Sequence, residues 1–245
     1  SNIITSRIKM DSLWNIAIDS GFLPGVDDWS FANYGSQISQ GGFCAGQSVS
    51  MAYYFTELKS SKGQGLFSKY DNNSFGVKTP EFHWDDSLGI RLSSVVQESG
   101  AWTSLYFNVI TEYVNEKLYL SDRSIYMAIA YALLLTGEPQ LLGIFVRTVA
   151  PNNKITLKAG HAILAYKIDA NKIYVADPNF PGKTTLSIPF NGEKLGNYVS
   201  KTDVGKPDIN YNSFAPIGKS ALFNWKSIGI LFKEMDKNPL DSKIG

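Results

Sequence analysis

Residues 44–58 constrain this chain more than any other stretch. They read C-A-G-Q-S-V-S-M-A-Y-Y-F-T-E-L, with apolar side chains at Val49, Met51, Ala52, Tyr53 and Phe55. A helix formed by this run has almost no polar face, and such a helix must be covered on every side. The segment therefore predicts a central, buried helix. Gly41-Gly42 precede it, and its first residue, Cys44, is the only cysteine in the chain. A thiol where a glycine-rich loop becomes a helix meets unpaired backbone N–H groups and the positive end of the helix dipole, which favour the thiolate form. The competing expectation is a buried structural cysteine, because free cysteines are among the most buried residues.

A single cysteine excludes a disulfide framework and a Cys-cluster zinc site. Twenty-three basic and 22 acidic residues nearly cancel, and no Lys/Arg cluster stands out, so neither nucleic acid nor an anionic membrane is an implied partner. The longest apolar run, residues 128–135, is too short to span a bilayer, so no integral membrane segment is expected. No signal-peptide pattern opens the chain, and Ser1-Asn2 reads as the remnant of a tag. Asn/Lys/Ser-rich loops and the lone cysteine fit an exported bacterial protein whose signal has been removed. The 245 residues are enough for one domain with a substantial core.

Along the chain, residues 10–21 have Leu13, Ile16 and Ala17 on one helical face and Gly21 as a stop. Residues 22–40 are loop-like. Residues 59–86 form a polar surface excursion containing His83. Helices are expected over 88–98, 104–117 and 122–135, the last with Ser121 as N-cap and Gly137 beyond its end. After Pro139 the character becomes β-rich, with strands expected at 141–149, 162–168, 172–176 and 184–188. Residues 195–217 read as a long connection, and 223–234 as a last helix or strand. The whole predicts a single α+β domain, with an α-rich half over about 1–138 and an antiparallel β-rich half over about 139–245.

The second informative stretch, residues 159–182, reads A-G-H-A-I-L-A-Y-K-I-D-A-N-K-I-Y-V-A-D-P-N-F-P-G. Asp169-Ala170-Asn171 separates two strand-like runs. If Ile168 and Lys172 close a three-residue loop, Ile163 lies opposite Asp177. His161 shares the face of Ile163, since side chains alternate with period two, and Asp177 is then diagonal to the imidazole. A four-residue loop would put the carboxylate on the wrong face. In the expected register Asp177 can orient His161 and stabilise its cation. Singly, His161 reads as a satisfied strand histidine and Asp177 as a turn former. His83, the other histidine, lies in a loop beside Asp85 and Asp86 and reads as a surface residue.

The order Cys44, His161, Asp177 resembles the papain-like superfamily of cysteine peptidases. There the cysteine heads the central helix of an α-rich half, and the His and Asn/Asp stand on adjacent strands of a β-rich half. G-H-A-I-L-A-Y and V-A-D-P-N-F-P-G are closest in style to the bacterial bacteriocin-processing (double-glycine) peptidases. The resemblance implies a Cys-His-Asp triad, a thioester acyl-enzyme, a peptide or protein substrate, a monomer and no metal or organic cofactor. It also implies an oxyanion-hole glutamine six residues before the cysteine. Isoleucine stands there; of the flanking Gln37 and Gln40, Gln37 is the expected donor, with the Cys44 N–H as the second. A peptide cleft is expected near Trp29, Tyr34 or Trp84. The rival expectations are acyl transfer or deamidation on the same triad, and a non-catalytic peptide-binding module.

Overall fold

The computed structural model describes residues 17–71, 87–101, 121–169 and 171–237. The apolar run forms helix α1 (Cys44–Tyr53), continuing through a π-helical turn (Tyr54–Leu58) into a final helical turn (Lys59–Lys62). Eight of its first ten residues, Ala45 to Ala52, are buried, as a helix without a polar face requires. Helix α2 (Leu88–Glu98) crosses it closely. A Cβ placed on Gly46 would stand 1.9 Å from the Ser93 carbonyl oxygen and 2.8 Å from the Gln97 nitrogen. Only hydrogen fits there. Gly46→Ala is therefore expected to push α2 off α1 and to cost about 1–3 kcal/mol or more, read as a lowered urea midpoint; an unchanged midpoint would show that the crossing is loose.

Helix α3 (Asp122–Thr136) begins at Ser121, whose side chain accepts from Ser124 N, and ends at Gly137 with φ +65°. After it come strands β2 (Gln140–Val149), β3 (Ile155–Asp169), β4 (Lys172–Ala176) and β5 (Ser187–Pro189). Residues 195–217, expected as a connection, instead hold β6 (Tyr198–Ser200), β7 (Ile209–Tyr211) and β8 (Ser213–Ile217). These strands are short and owe their existence to pairing, which local composition does not encode. A single turn (Lys219–Leu222) leads to α4 (Trp225–Lys237), so the ambiguous last element is a helix. The expected helix over residues 10–21 does not extend to its end: Ile18–Asp19 is a strand, β1, paired with β3 at Ile168 and Lys167. The expected helix over 104–117 and His83 lie outside the described residues.

The main sheet is antiparallel, in the order β5-β4-β3-β2-β8, with β1 on the far part of β3. The fold is thus mixed helix and antiparallel sheet, an α+β architecture. One face packs against α1, α2 and α4, with Trp29, Tyr54 and Phe232 among the most buried side chains. The other face packs against α3 and the β6–β7 ribbon. The layers do not follow the expected division near residue 138. β1 joins the sheet from the N-terminal side, and α4 returns to the α1 layer through Phe232, which stacks on Tyr53 and Trp29. Burying an aromatic ring of that size contributes roughly 1.5–3 kcal/mol, enough to draw the last helix across.

Register decides where the site residues fall. The β3–β4 turn is closed by Asp169 and Lys172, not by Ile168 and Lys172, with Asn171 at φ +62°. That tighter turn alone would have put Asp177 on the wrong face. A bulge corrects it: Lys167 pairs with Tyr174, yet Ala165 pairs with Val175 and Leu164 with Ala176. The core records the flip. Ile163 and Ala165 lie in the α3-side cluster, and after the bulge so does Ile168. Ala162, Leu164 and Tyr166 lie on the α1 side. Beyond the bulge the pairing is the one expected from a three-residue loop, so His161 and Asp177 share a face.

Candidate active site

Cys44 is the first residue of α1, half-buried, after Phe43. Its approach is set by Gly42, whose φ of +102° favours glycine and whose Cβ would meet the Asn33 side chain at 3.1 Å. Asn33 is completely buried. Its Oδ1 accepts from Phe43 N at 2.7 Å, and its Nδ2 donates to Thr202 O at 2.9 Å and Asn179 Oδ1 at 3.2 Å. Each donor and acceptor of that amide is thereby assigned, since a backbone N–H can be met only by the oxygen. The loop carrying the cysteine is tied through Asn33 to the loops after β4 and β6.

His161 lies in β3 directly after a bulge. Ile144 pairs with His161 and Val146 with Lys158, so Ala159 and Gly160 stand opposite one residue. Ala159 has φ +53°, a conformation an alanine adopts only under constraint from its surroundings. Bulges of this kind re-aim the neighbouring side chain. The imidazole is fully buried. Its Nε2 lies 2.7 Å from Asp177 Oδ1, and its ring sits beside Tyr211. Nδ1 is buried without a hydrogen-bond partner, and the nearby Cys44 favours charge on the ring. Cys44 and His161 line the same cleft. Ser48 Oγ donates to Ala162 O at 3.1 Å, fastening α1 to the strand next to the histidine.

Asp177, 3% exposed, follows β4 and is saturated. Oδ1 takes the histidine and Asn179 N at 2.8 Å; Oδ2 takes Tyr198 OH at 2.9 Å and Ser200 Oγ at 2.6 Å. Because Asp177 is an acceptor, Nε2 carries a proton and Nδ1 is left to face the thiol. Asn179 Nδ2 also lies 3.1 Å from Nε2. Its hydrogens are directed to Lys201 O at 2.9 Å and Ser200 Oγ at 3.2 Å, so this is a contact between two donor nitrogens.

Burial opposes charge on both partners, and pairing outweighs it. The Asp177 charge, the Cys44 charge and the hydrogen bond to Asp177 raise His161 to about 10. The imidazolium, Ser200 and Asn179 N–H hold Asp177 below the usual carboxylate value. Burial, then the Cys44 and Asp177 charges, raise the Tyr211 phenol. The signs fix a pH window. His161, raised from 6.5, contributes stability that is full below 6.5 and is lost as pH rises through about 10. Asp177, lowered from 3.8, contributes stability that is full above 3.8 and is lost as pH falls. Thermal unfolding of wild type against Asp177→Asn should show its widest gap between those two unfolded values and a narrowing on either side. A gap independent of pH would exclude the ion pair.

Beside this pair opens a cleft of about 170 Å³, lined by Cys44, His161, Gln97, Leu141, Ile217 and Leu222 among others. The structure thus brings Cys44, His161 and Asp177 together. It does not bring Gln37 to them. The loop over 36–42 closes on itself: Ser36 Oγ accepts from Ile38 N and Ser39 N, and Gly42 N donates to Ser39 O. Gln37, Ile38 and Gln40 are left exposed, outside the cleft lining. The expected cleft aromatics also lie elsewhere. Trp29 is in the core against Phe31 and Phe232, and Tyr34 is exposed away from the cleft; Trp84 lies outside the described residues. Asn33, Asn179 and Gln97 were not singled out from the sequence, where each reads as an ordinary loop or helix residue. Among the described residues no group of three His, Cys, Asp or Glu side chains is placed to hold a metal ion, and no helix is long and apolar enough to cross a membrane. No family model, characterised protein or solved structure matches the chain.

Proposed function

We propose that this protein is a cysteine hydrolase of papain-like arrangement that cleaves peptide or amide bonds through Cys44, His161 and Asp177. The observation that carries the reading is the juxtaposition of the sole cysteine, at the head of a buried helix, with a buried imidazole whose far nitrogen is 2.7 Å from a buried carboxylate. The order of the three residues, with His161 on β3 and Asp177 just past the end of the adjacent β4, supports the papain-like part of the proposal.

The chemistry follows from the assigned protons. Asp177 keeps the proton on Nε2, so Nδ1 can accept the thiol proton from Cys44. The thiolate attacks the carbonyl carbon, and the carbonyl π pair moves to oxygen beside the Cys44 N–H, which as the first N–H of α1 has no intrahelical acceptor. Collapse of the adduct breaks the C–N bond, and the imidazolium returns its proton to the leaving nitrogen. Water, deprotonated by His161, then cleaves the thioester and frees the acid. The test is digestion of a defined mixture of unfolded proteins, with new chain termini read by mass spectrometry. Termini should accumulate with time; a preparation whose Cys44 reacts rapidly with iodoacetamide but which generates none would refute peptide-bond cleavage.

A further inference from the structure

The proposed chemistry requires the Cys44 thiol to meet the His161 imidazole, yet the two arrive on different layers, the head of α1 and the strand β3. We infer that Asn33 is the positioning residue that sets one against the other, acting through Asn179 on the His161–Asp177 pair; the inference rests on the hydrolase reading.

The head of α1 has no cap of its own, because Phe43 supplies no side-chain acceptor. It follows Gly42, at φ +102°, and a glycine does not by itself fix the direction in which the chain leaves it. Gln97 on α2 accepts from Ala45 N and Gly46 N, each at 3.0 Å, which holds the helix head within its own layer. Asn33 ties it to the other one. Its Oδ1 accepts from Phe43 N at 2.7 Å, and its Nδ2 donates to Asn179 Oδ1 at 3.2 Å. Asn179 N in turn donates to Asp177 Oδ1 at 2.8 Å, the same oxygen that lies 2.7 Å from His161 Nε2. Two amides thus connect the residue before the nucleophile to the imidazole.

Neither amide can be turned round. Phe43 N–H requires the oxygen of Asn33, while the carbonyls of Thr202 and Lys201 require the nitrogens of Asn33 and Asn179. The Asn33 backbone adds two bonds to the same loops: its N–H donates to Pro178 O at 2.9 Å, and its carbonyl accepts from Val204 N at 3.0 Å. Asn33 is 0% exposed and Asn179 5%, so these bonds act in low dielectric without competition from water. A buried asparagine that merely satisfied backbone groups would not need to reach the catalytic pair. Here the relay ends against it, with Asn179 Nδ2 resting 3.1 Å from His161 Nε2.

The test is a double-mutant cycle on the intact protein, read by alkylation of Cys44 with iodoacetamide at neutral pH. In an otherwise wild-type chain, His161→Ala should slow alkylation at least about tenfold. With Asn33→Ala in place the thiol no longer sits where it can use the imidazole, and the same substitution should slow alkylation by no more than about threefold. A purely structural role gives a different result: the urea midpoint falls, but the effect of His161→Ala stays. An effect of about tenfold retained in a folded Asn33→Ala protein would overturn the inference and leave Asn33 as a structural amide. Should circular dichroism show that Asn33→Ala does not fold, Asn179→Ala decides. It cuts the relay while leaving the bonds of Asn33 to Phe43 and Thr202 in place. A His161→Ala effect below about threefold in that background supports the relay, and an undiminished one overturns it. Wild-type Cys44 alkylated no faster than free cysteine, and indifferent to His161→Ala, would overturn the hydrolase reading itself.

Discussion

Cys44→Ala and His161→Ala are each expected to bring the proposed cleavage in the mixed-protein digestion down to background, a loss of about 10⁴-fold or more. A residue set that acts as a unit fails as a unit: without the thiol no acyl-enzyme forms, and without the imidazole nothing removes or returns the proton. The two variants should differ in stability. Cys44 is only half-buried, and its loss should change unfolding free energy by no more than about 0.5 kcal/mol. His161→Ala removes the partner of a buried carboxylate and should cost several times that. Circular dichroism and urea midpoints separate the two causes of inactivity. A Cys44→Ala protein that still generates termini would end the mechanism, since the chain has no second cysteine. Alkylation reports on the pair independently. At neutral pH, iodoacetamide should react with Cys44 at least tenfold more slowly in His161→Ala than in wild type.

Asp177→Ala should be the most destabilising change at the site, by about 3–5 kcal/mol. The carboxylate accepts from His161, Asn179 N, Tyr198 OH and Ser200 Oγ, all in buried surroundings. Truncation leaves each donor without its acceptor and the imidazolium without its counter-charge, and an unsatisfied buried donor costs roughly 1–3 kcal/mol. Asp177→Asn should be milder. Its Oδ1 can still accept from Nε2, while the Tyr198 and Ser200 hydroxyls can turn to accept from the new NH₂ group. The asparagine variant is therefore expected to fold, to keep part of its activity, and to lose the upward push on His161 that the carboxylate charge provides. Urea unfolding and the pH dependence of cleavage read these effects. An Asp177→Ala protein as stable as wild type would mean that the four hydrogen bonds are not formed together.

Much of this organisation was legible in the chain itself. The apolar circumference of residues 44–58 required a buried helix, and Ser121 and Gly137 marked both ends of α3, because caps and periodicity act over a few residues. Cys44 as a helix-head thiol and His161 with Asp177 as a hairpin pair were open to the same local reading. The pair's register was right for a reason the sequence hid: a tighter turn and a bulge near Tyr166 together restore the alternation that a three-residue loop would have produced. Residues 10–21 show the opposite outcome, since helical spacing there was overridden at Ile18–Asp19 by an available partner on β3.

What only the tertiary structure decided are the long-range bonds. Asn33 reaches Asn179, Gln97 reaches Ala45 and Gly46, and Oδ2 of Asp177 collects Tyr198 and Ser200 from a ribbon that composition had marked as a connection. Each bond joins residues far apart in the chain, and an amide or hydroxyl has no periodicity to announce its partner. The sequence determined which groups of this protein can do chemistry and which local elements present them. Burial and register then decided which of those groups meet, because a polar side chain removed from water must take whatever partner the packing of distant segments brings to it.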